Sequence, residues 1–568
     1  MKFLRILCLI GWLVLPALSL DREAFTFVNY DLDVRVEPAQ RRLGARGRIT
    51  LRNDSRLPQK EIALQISSSL DWRSIRLDGK VVQFDSHSYA SDIDHTGALS
   101  EAIVTLPHNV SPQATVELEI GYEGVVALDA TRLTRIGVPE EKARHSDWDQ
   151  ISKSFTAVRG IGYVAWYPMA TESANLSDAN SVFETTGRWK RRETDAQMKI
   201  TLCAASQDGV FILAPVIEGG NQLRSADQAD SCATYTIAGL GRAVPLFVSG
   251  PYSVLDRPYI SINYLLDHRP GAQNYALAAE LVVPFVSDWF GVPRKNAEVA
   301  ELPDPDDAAF ESGDMLLTSL SGEDARAYQL AAVHQFTHAA FSSPRPWIYE
   351  GLAHFAQALM REQQAGRAAS IDFMDLHRTA LLDAEKAIPR NPASVAAESL
   401  VNTNTEEFYR SKAMYVWWML RDMVGDAGLK KALAAYHADQ DRDAAYVEHL
   451  IEAQSKRDLE WFFDSWVYRD NGLPDFRIES AYPRATINGG YVVTVTVENL
   501  GSAGAEVPVR LLMINDDEVT KRVEVHAKSK AVLRIEALAA PQEVIVNDGS
   551  VPESDFTNNR FKVEIPDK

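Results

Sequence analysis

A chain of 568 residues, 46% hydrophobic and 24% charged, is too long for one core and too apolar to stay unfolded, so three or four domains are expected. Its 58 basic and 78 acidic residues leave a formal charge of −20. Such an acidic surface repels phosphate backbones and argues against nucleic acid as a partner, while saying nothing about fold.

Residues 1–19 read as a signal peptide. Lys2 and Arg5 precede an apolar run from Ile6 to Leu18, and Ala17-Leu18-Ser19 fits a small-x-small cleavage signal. An uncleaved anchor is the alternative, but the run falls short of the roughly 20 residues of a span and contains Gly11 and Pro16. No later stretch approaches spanning length. The mature chain is therefore expected to be exported, periplasmic or extracellular, without a stable membrane span. Signal removal leaves Cys203 and Cys232. In an oxidising compartment they predict one disulfide, with two buried thiols as the other reading.

Residues 20–250 alternate with period two. In YDLDVRVE, Tyr30, Leu32, Val34 and Val36 point one way, and RITLR and EIALQI repeat the pattern. This predicts an antiparallel β domain with one solvated face. Within 251–475 the period turns helical: NYALAAELVVPFVSDWFG fits a helix ending near Gly291, while FESGDMLLTSL reads as strand or strand edge. Over 480–568 alternation returns at Val493, Val495 and Val497, at Val523 and Val525, and at Leu533 and Ile535. That pattern predicts a β-sandwich. The fold class is thus multidomain α+β.

The chemistry concentrates in AAVHQFTHAAFSSPRPWIYEGLAHFA, residues 331–356. Ser321 offers a helix N-cap with Asp324 three residues on. In the helix that follows, His334 and His338 are four residues apart. That spacing puts both imidazoles on one face, as two ligands of a tetrahedral metal require. Pro344 and Pro346 break the chain before a second helix, whose first turn is expected to carry Glu350. Eleven residues separate His338 from Glu350, and a short connection would fold the second helix back beside the first. His354 lies one turn further along that face.

These residues resemble the gluzincin metallopeptidases, in particular the membrane alanyl aminopeptidase family and its shorter peptidase-MA-like relatives. Those proteins carry H-E-x-x-H on one helix and W-x-x-E-G-x-A on the next. The resemblance implies Zn2+ held by His334, His338 and Glu350. It implies a thermolysin-like, mostly helical catalytic-type domain preceded by the β domain and followed by an immunoglobulin-like sandwich. Glu311, in Phe310-Glu311-Ser312-Gly313, would match the glutamate that binds a peptide's α-amine, although the glycine and methionine of that motif are missing. Tyr409 would match a tyrosine that hydrogen-bonds the tetrahedral intermediate, with its register off by about one residue. His354 would hydrogen-bond a ligand from behind, or supply a base.

One position departs from the pattern. Gln335 stands where the family has its catalytic glutamate. An amide can still hydrogen-bond the water that zinc activates but cannot take its proton, a step worth roughly 10²–10⁴ in rate. The reading is an exported, aminopeptidase-like zinc-metallopeptidase homologue with impaired catalysis. The alternative is an inactive peptidase-fold protein that binds peptides or proteins.

Overall fold

The computed structural model describes residues 20–565 apart from 179–180, 206–210, 214–229, 242, 323, 389–398, 404 and 488. The signal-peptide reading of residues 1–19 lies outside the described residues. The fold is multidomain α+β, with β sheets first, a helical middle region and antiparallel β sheets at the C-terminal end. Among the described residues no helix is long and apolar enough to cross a membrane.

The alternation at the N-terminus becomes the strand Phe25–Glu37, where Tyr30, Leu32, Val34 and Val36 are all buried. It is the third strand of a seven-stranded sheet, ordered 230–238, 197–205, 25–37, 42–53, 115–125, 70–77 and 80–81. A three-stranded sheet shares its core. The expectation of purely antiparallel pairing is corrected at one place. Gln197–Ala205 runs parallel to Phe25–Glu37, a pairing that the long intervening chain allows. Cys203 lies opposite Cys232 on the strands 197–205 and 230–238, and the two form a disulfide.

This region also contains helices that β periodicity did not predict: α1 (Thr131–Arg135), α2 (Glu140–Ser146) and α3 (Ser181–Arg192). α3 buries Val182, Thr185 and Trp189 at helical spacing, and its Arg191 donates to the carbonyl of Asn402 in the helical region.

The middle region opens on a five-stranded sheet, ordered 253–257, 260–264, 297–301, 315–318 and 310–312. Its three central strands are parallel and its edges antiparallel. FESGDMLLTSL supplies the edge hairpin, Phe310–Ser312 and Met315–Thr318. Against the sheet lies α4 (Arg269–Phe290), ended by Gly291 at φ 93°, a backbone shape that favours glycine. Then follow α5 (Ala325–Ala340), α6 (Pro346–Ala365), α7 (Arg367–Ala387), a π-helical turn Glu407–Lys412 running into α8 (Ala413–Ala434), α9 (Tyr446–Ser455) and α10 (Glu460–Phe463).

Two sheets of three and four antiparallel strands close the chain, beginning at Phe476–Ala485. Their inward residues Val493, Val495, Val497 and Ile535 join one apolar core with the helices. Trp466 is fully buried at that junction and donates its indole N–H to the carbonyl of Gly504 at 2.7 Å. Arg367 and Arg522 both pair with Asp422, tying the sandwich to the helices.

Candidate metal centre

α5 begins at Asp324, whose carboxylate accepts from the amides of Arg326 and Ala327. This corrects the expectation of a cap at Ser321. The Ser321 hydroxyl pairs with Ser319 instead, and a carboxylate next to the first turn caps two orphan amides and favours the helix dipole. Three turns on, His334 and His338 face the same way. Their Nε2 atoms are 3.1 Å apart, and the rings meet edge to face at 4.7 Å. Tyr349 stacks on His338 at 3.8 Å, and Gln357 of α6 donates to the carbonyl of Leu330 in α5 at 3.0 Å.

Pro346 opens α6, where its missing N–H costs nothing, but Glu350 is the fifth residue and falls just past the expected first turn. Its carboxylate reaches both histidines, Oε2 at 3.7 Å from His334 Nε2 and Oε1 at 3.6 Å from His338 Nε2. The neighbouring Gly351 permits this approach. A Cβ there would sit 2.6 Å from the Cβ of Ala413 and 3.1 Å from Cδ1 of Trp417, so only glycine lets α6 seat against α8.

Glu311 comes from the edge strand. Its Oε2 is 3.2 Å from His334 Nε2, and its buried Oε1 has no hydrogen-bond partner among the described residues. The strand is pinned on both sides. Ser312 exchanges two 2.8 Å hydrogen bonds with the backbone of Val244, and Phe310 packs edge to face on Tyr163 at 5.2 Å.

Burial governs the charges here. It lowers the pKa of His334 to about 4 and that of His338 to about 3, so both are neutral at physiological pH, the form that ligates a metal. Burial, with Glu350 nearby, raises the carboxyl of Glu311 well above its ordinary value. Burial also pulls Glu350 upward, but Arg410 and the neighbouring imidazoles outweigh it and hold that carboxyl well below the usual range.

Glu311, His334 and His338 form a group that could hold a metal ion, with one donor atom from each lying within 4.8 Å of the others. The donors fit the expected ion. Two neutral imidazoles and carboxylate oxygen are ordinary zinc ligands, and the orphaned Oε1 of Glu311 lacks the positive partner that a cation would supply.

Gln335 is wholly buried, and its amide is already paired. Nε2 donates to the carbonyls of Glu298 at 2.9 Å and Asp314 at 3.1 Å, while Oε1 accepts from Tyr275 at 2.9 Å. Tyr409 lies in the π-helical turn, where the guanidinium of Arg410 stands 5.9 Å from its ring centroid. Arg410 follows it and donates through Nε to Glu350 Oε2 at 3.2 Å. A π turn inserts one residue into helical register, and such turns recur at functional sites. His354 packs edge to face between His334 at 5.0 Å and His377 at 5.3 Å, and among the described residues neither ring nitrogen is hydrogen-bonded, so the expected hydrogen bond to a ligand is replaced by ring packing.

Two cations escaped the sequence reading. Arg410 adjoins Tyr409 but carried no motif of its own. Lys190 comes from α3, where burial lowers its pKa, with Arg410 adding to the effect and Glu350 and Glu406 opposing it. A cavity of about 530 Å³ lies elsewhere, lined by Trp148, His145, Asp304 and Asp307 among others.

No family model matches this sequence, and no curated protein does. Among solved structures the chain is similar to an M1 zinc metallopeptidase from Deinococcus radiodurans, at 16% identity and a TM-score of 0.46, covering 76% of this chain and 90% of that one. A mutant of that metallopeptidase gives 16% identity and a TM-score of 0.48, over 80% of this chain and 96% of that one. The mutant bound to a Tyr-ser-ala substrate gives 0.46 at the same identity and coverage. Likeness at this level carries nothing about the chemistry of the present chain.

Proposed function

We propose that this chain is an exported zinc-metallopeptidase homologue, aminopeptidase-like, that binds peptide at a zinc centre where hydrolysis is impaired by Gln335. One observation carries the reading: His334, His338 and Glu350, from two helices, place their donor atoms within 3.7 Å of one another along the chain Glu350–His334–His338. His334, His338 and Glu350 would hold Zn2+. When bound, zinc polarises a peptide carbonyl and acidifies water. His354 packs behind His334 and keeps its ring in place. Tyr409 would donate to the oxygen that gains charge, and Glu311 would face the peptide's amine. The disulfide between Cys203 and Cys232 supports export, since such bonds persist in oxidising compartments.

A second reading, a binding module without turnover, is favoured by the pairing of Gln335. An amide cannot accept a proton, and both of its hydrogens are donated to backbone carbonyls. Metal analysis of the purified chain, with turnover of aminoacyl and internally quenched peptides, separates the readings. Stoichiometric zinc with slow cleavage supports the impaired enzyme. Zinc with no cleavage supports the module, and a folded chain without zinc defeats both.

A further inference from the structure

The donors around His334 outnumber what a hydrolytic centre uses. Four side chains converge there: His334 and His338 from α5, Glu350 from α6 and Glu311 from the edge strand. The imidazoles are 3.1 Å apart and Glu311 lies 3.2 Å from His334, while Glu350 approaches through two different oxygens, Oε2 at 3.7 Å from His334 and Oε1 at 3.6 Å from His338. A tetrahedron with ligands about 2.0–2.1 Å from zinc has edges of about 3.3–3.4 Å. The imidazole pair and the Glu311–His334 pair lie near that length, and Glu311 belongs with the two histidines to a group whose donor atoms all lie within 4.8 Å of one another.

Glu311 is also held where it is. Ser312 is bonded twice to Val244, and Phe310 is packed on Tyr163, so the strand cannot withdraw the carboxylate without breaking contacts on both sides. Its Oε1 is buried and unpartnered among the described residues. An unpaired buried acceptor is costly, and a cation beside it removes the cost. Two carboxylates also match the two charges of a divalent ion.

Catalytic zinc centres keep three protein ligands and an open position, whereas structural ones close with four. We propose that Glu311 is the fourth protein ligand, so that the centre is closed and holds its metal as a structural or stored ion. The proposal rests on the metal-binding reading above; it replaces the amine-binding role given there to Glu311 and, by filling the open position, goes with the second reading, a module without turnover.

The test uses the full chain loaded with Co2+, whose visible spectrum reports coordination, and acetohydroxamate as a probe of an open position. The native spectrum should not move when acetohydroxamate is added. Glu311→Ala should yield a spectrum that does move, with zinc affinity lowered at least about tenfold. Glu311→Gln, which preserves size, serves the same purpose if the alanine variant does not fold. A native spectrum that shifts with acetohydroxamate while cobalt stays bound overturns the closed centre and leaves the metal reading standing. Unchanged zinc affinity in both variants overturns it too. A folded native chain that takes up neither metal overturns the closed centre and the metal reading together.

Discussion

The hydroxyl of Tyr275 in α4 donates to Oε1 of Gln335 in α5 at 2.9 Å, completing an amide whose two hydrogens already go to the carbonyls of Glu298 and Asp314. The slot suits an amide. A carboxylate there would set oxygen against two carbonyl oxygens.

Gln335→Glu is therefore expected to lose stability, since each unmade buried hydrogen bond costs about 1–3 kcal/mol. Urea unfolding, run beside Gln335→Met, checks this. A Gln335→Glu protein as stable as the native one would show the slot to be indifferent to charge.

Gly351→Ala should disturb the centre from behind. The added methyl would meet Ala413 and Trp417 and push α6 away from α8. Overpacking of this kind costs about 1–3 kcal/mol. Because Glu350 moves with α6, metal affinity should fall along with Tm. A drop in Tm with metal affinity intact would mean that Glu350 is positioned independently of its neighbour.

Chelation should destabilise the native chain. A ligand bound only by the folded state adds about 2.7 kcal/mol at a hundredfold excess over its dissociation constant. Removing zinc should lower Tm in the native protein and leave His334→Ala unchanged. Equal Tm with and without chelator in the native protein contradicts the expectation.

Stability should also depend on pH through Glu193, far from the histidines in sequence. Its Oε1 accepts from Arg192 at 2.9 Å, its Oε2 has no partner among the described residues, and burial raises its pKa from 4.5 to about 7. The folded state thus holds a proton that the unfolded chain gives up between pH 4.5 and 7. Its contribution is complete below pH 4.5 and lost as pH rises through 7, at most about 3 kcal/mol. Glu193→Gln should flatten that decline, measured as unfolding free energy against pH, while Glu553, also raised to about 7 by burial, keeps its own share. Curves of identical slope for the two proteins would rule Glu193 out as the source.

Much of this was readable in advance because it is local. Helical spacing put His334 and His338 on one face, and the proline break followed by WIYEGLA placed Glu350 on the next helix. Alternation found the strand Phe25–Glu37, and FESGDMLLTSL read as strand or strand edge, which the structure resolves into the hairpin Phe310–Ser312 and Met315–Thr318. α3 was missed because a single short amphipathic segment within a β-patterned region leaves little periodic signal. The parallel strand Gln197–Ala205 was missed because alternation reports which face is buried and not which neighbour is paired.

The sequence alone determined the periods of helix and strand, the amide at 335 and the two imidazoles at helical spacing, since each depends on residues a few positions apart. Only the tertiary structure decided that Arg410 meets Glu350 and that Tyr275 meets Gln335, each across 60 residues, and that Glu311 reaches His334 from another element. Such meetings are set by how sheet and helices pack, and the π-helical turn that aims Arg410 shifts register without leaving a mark in composition.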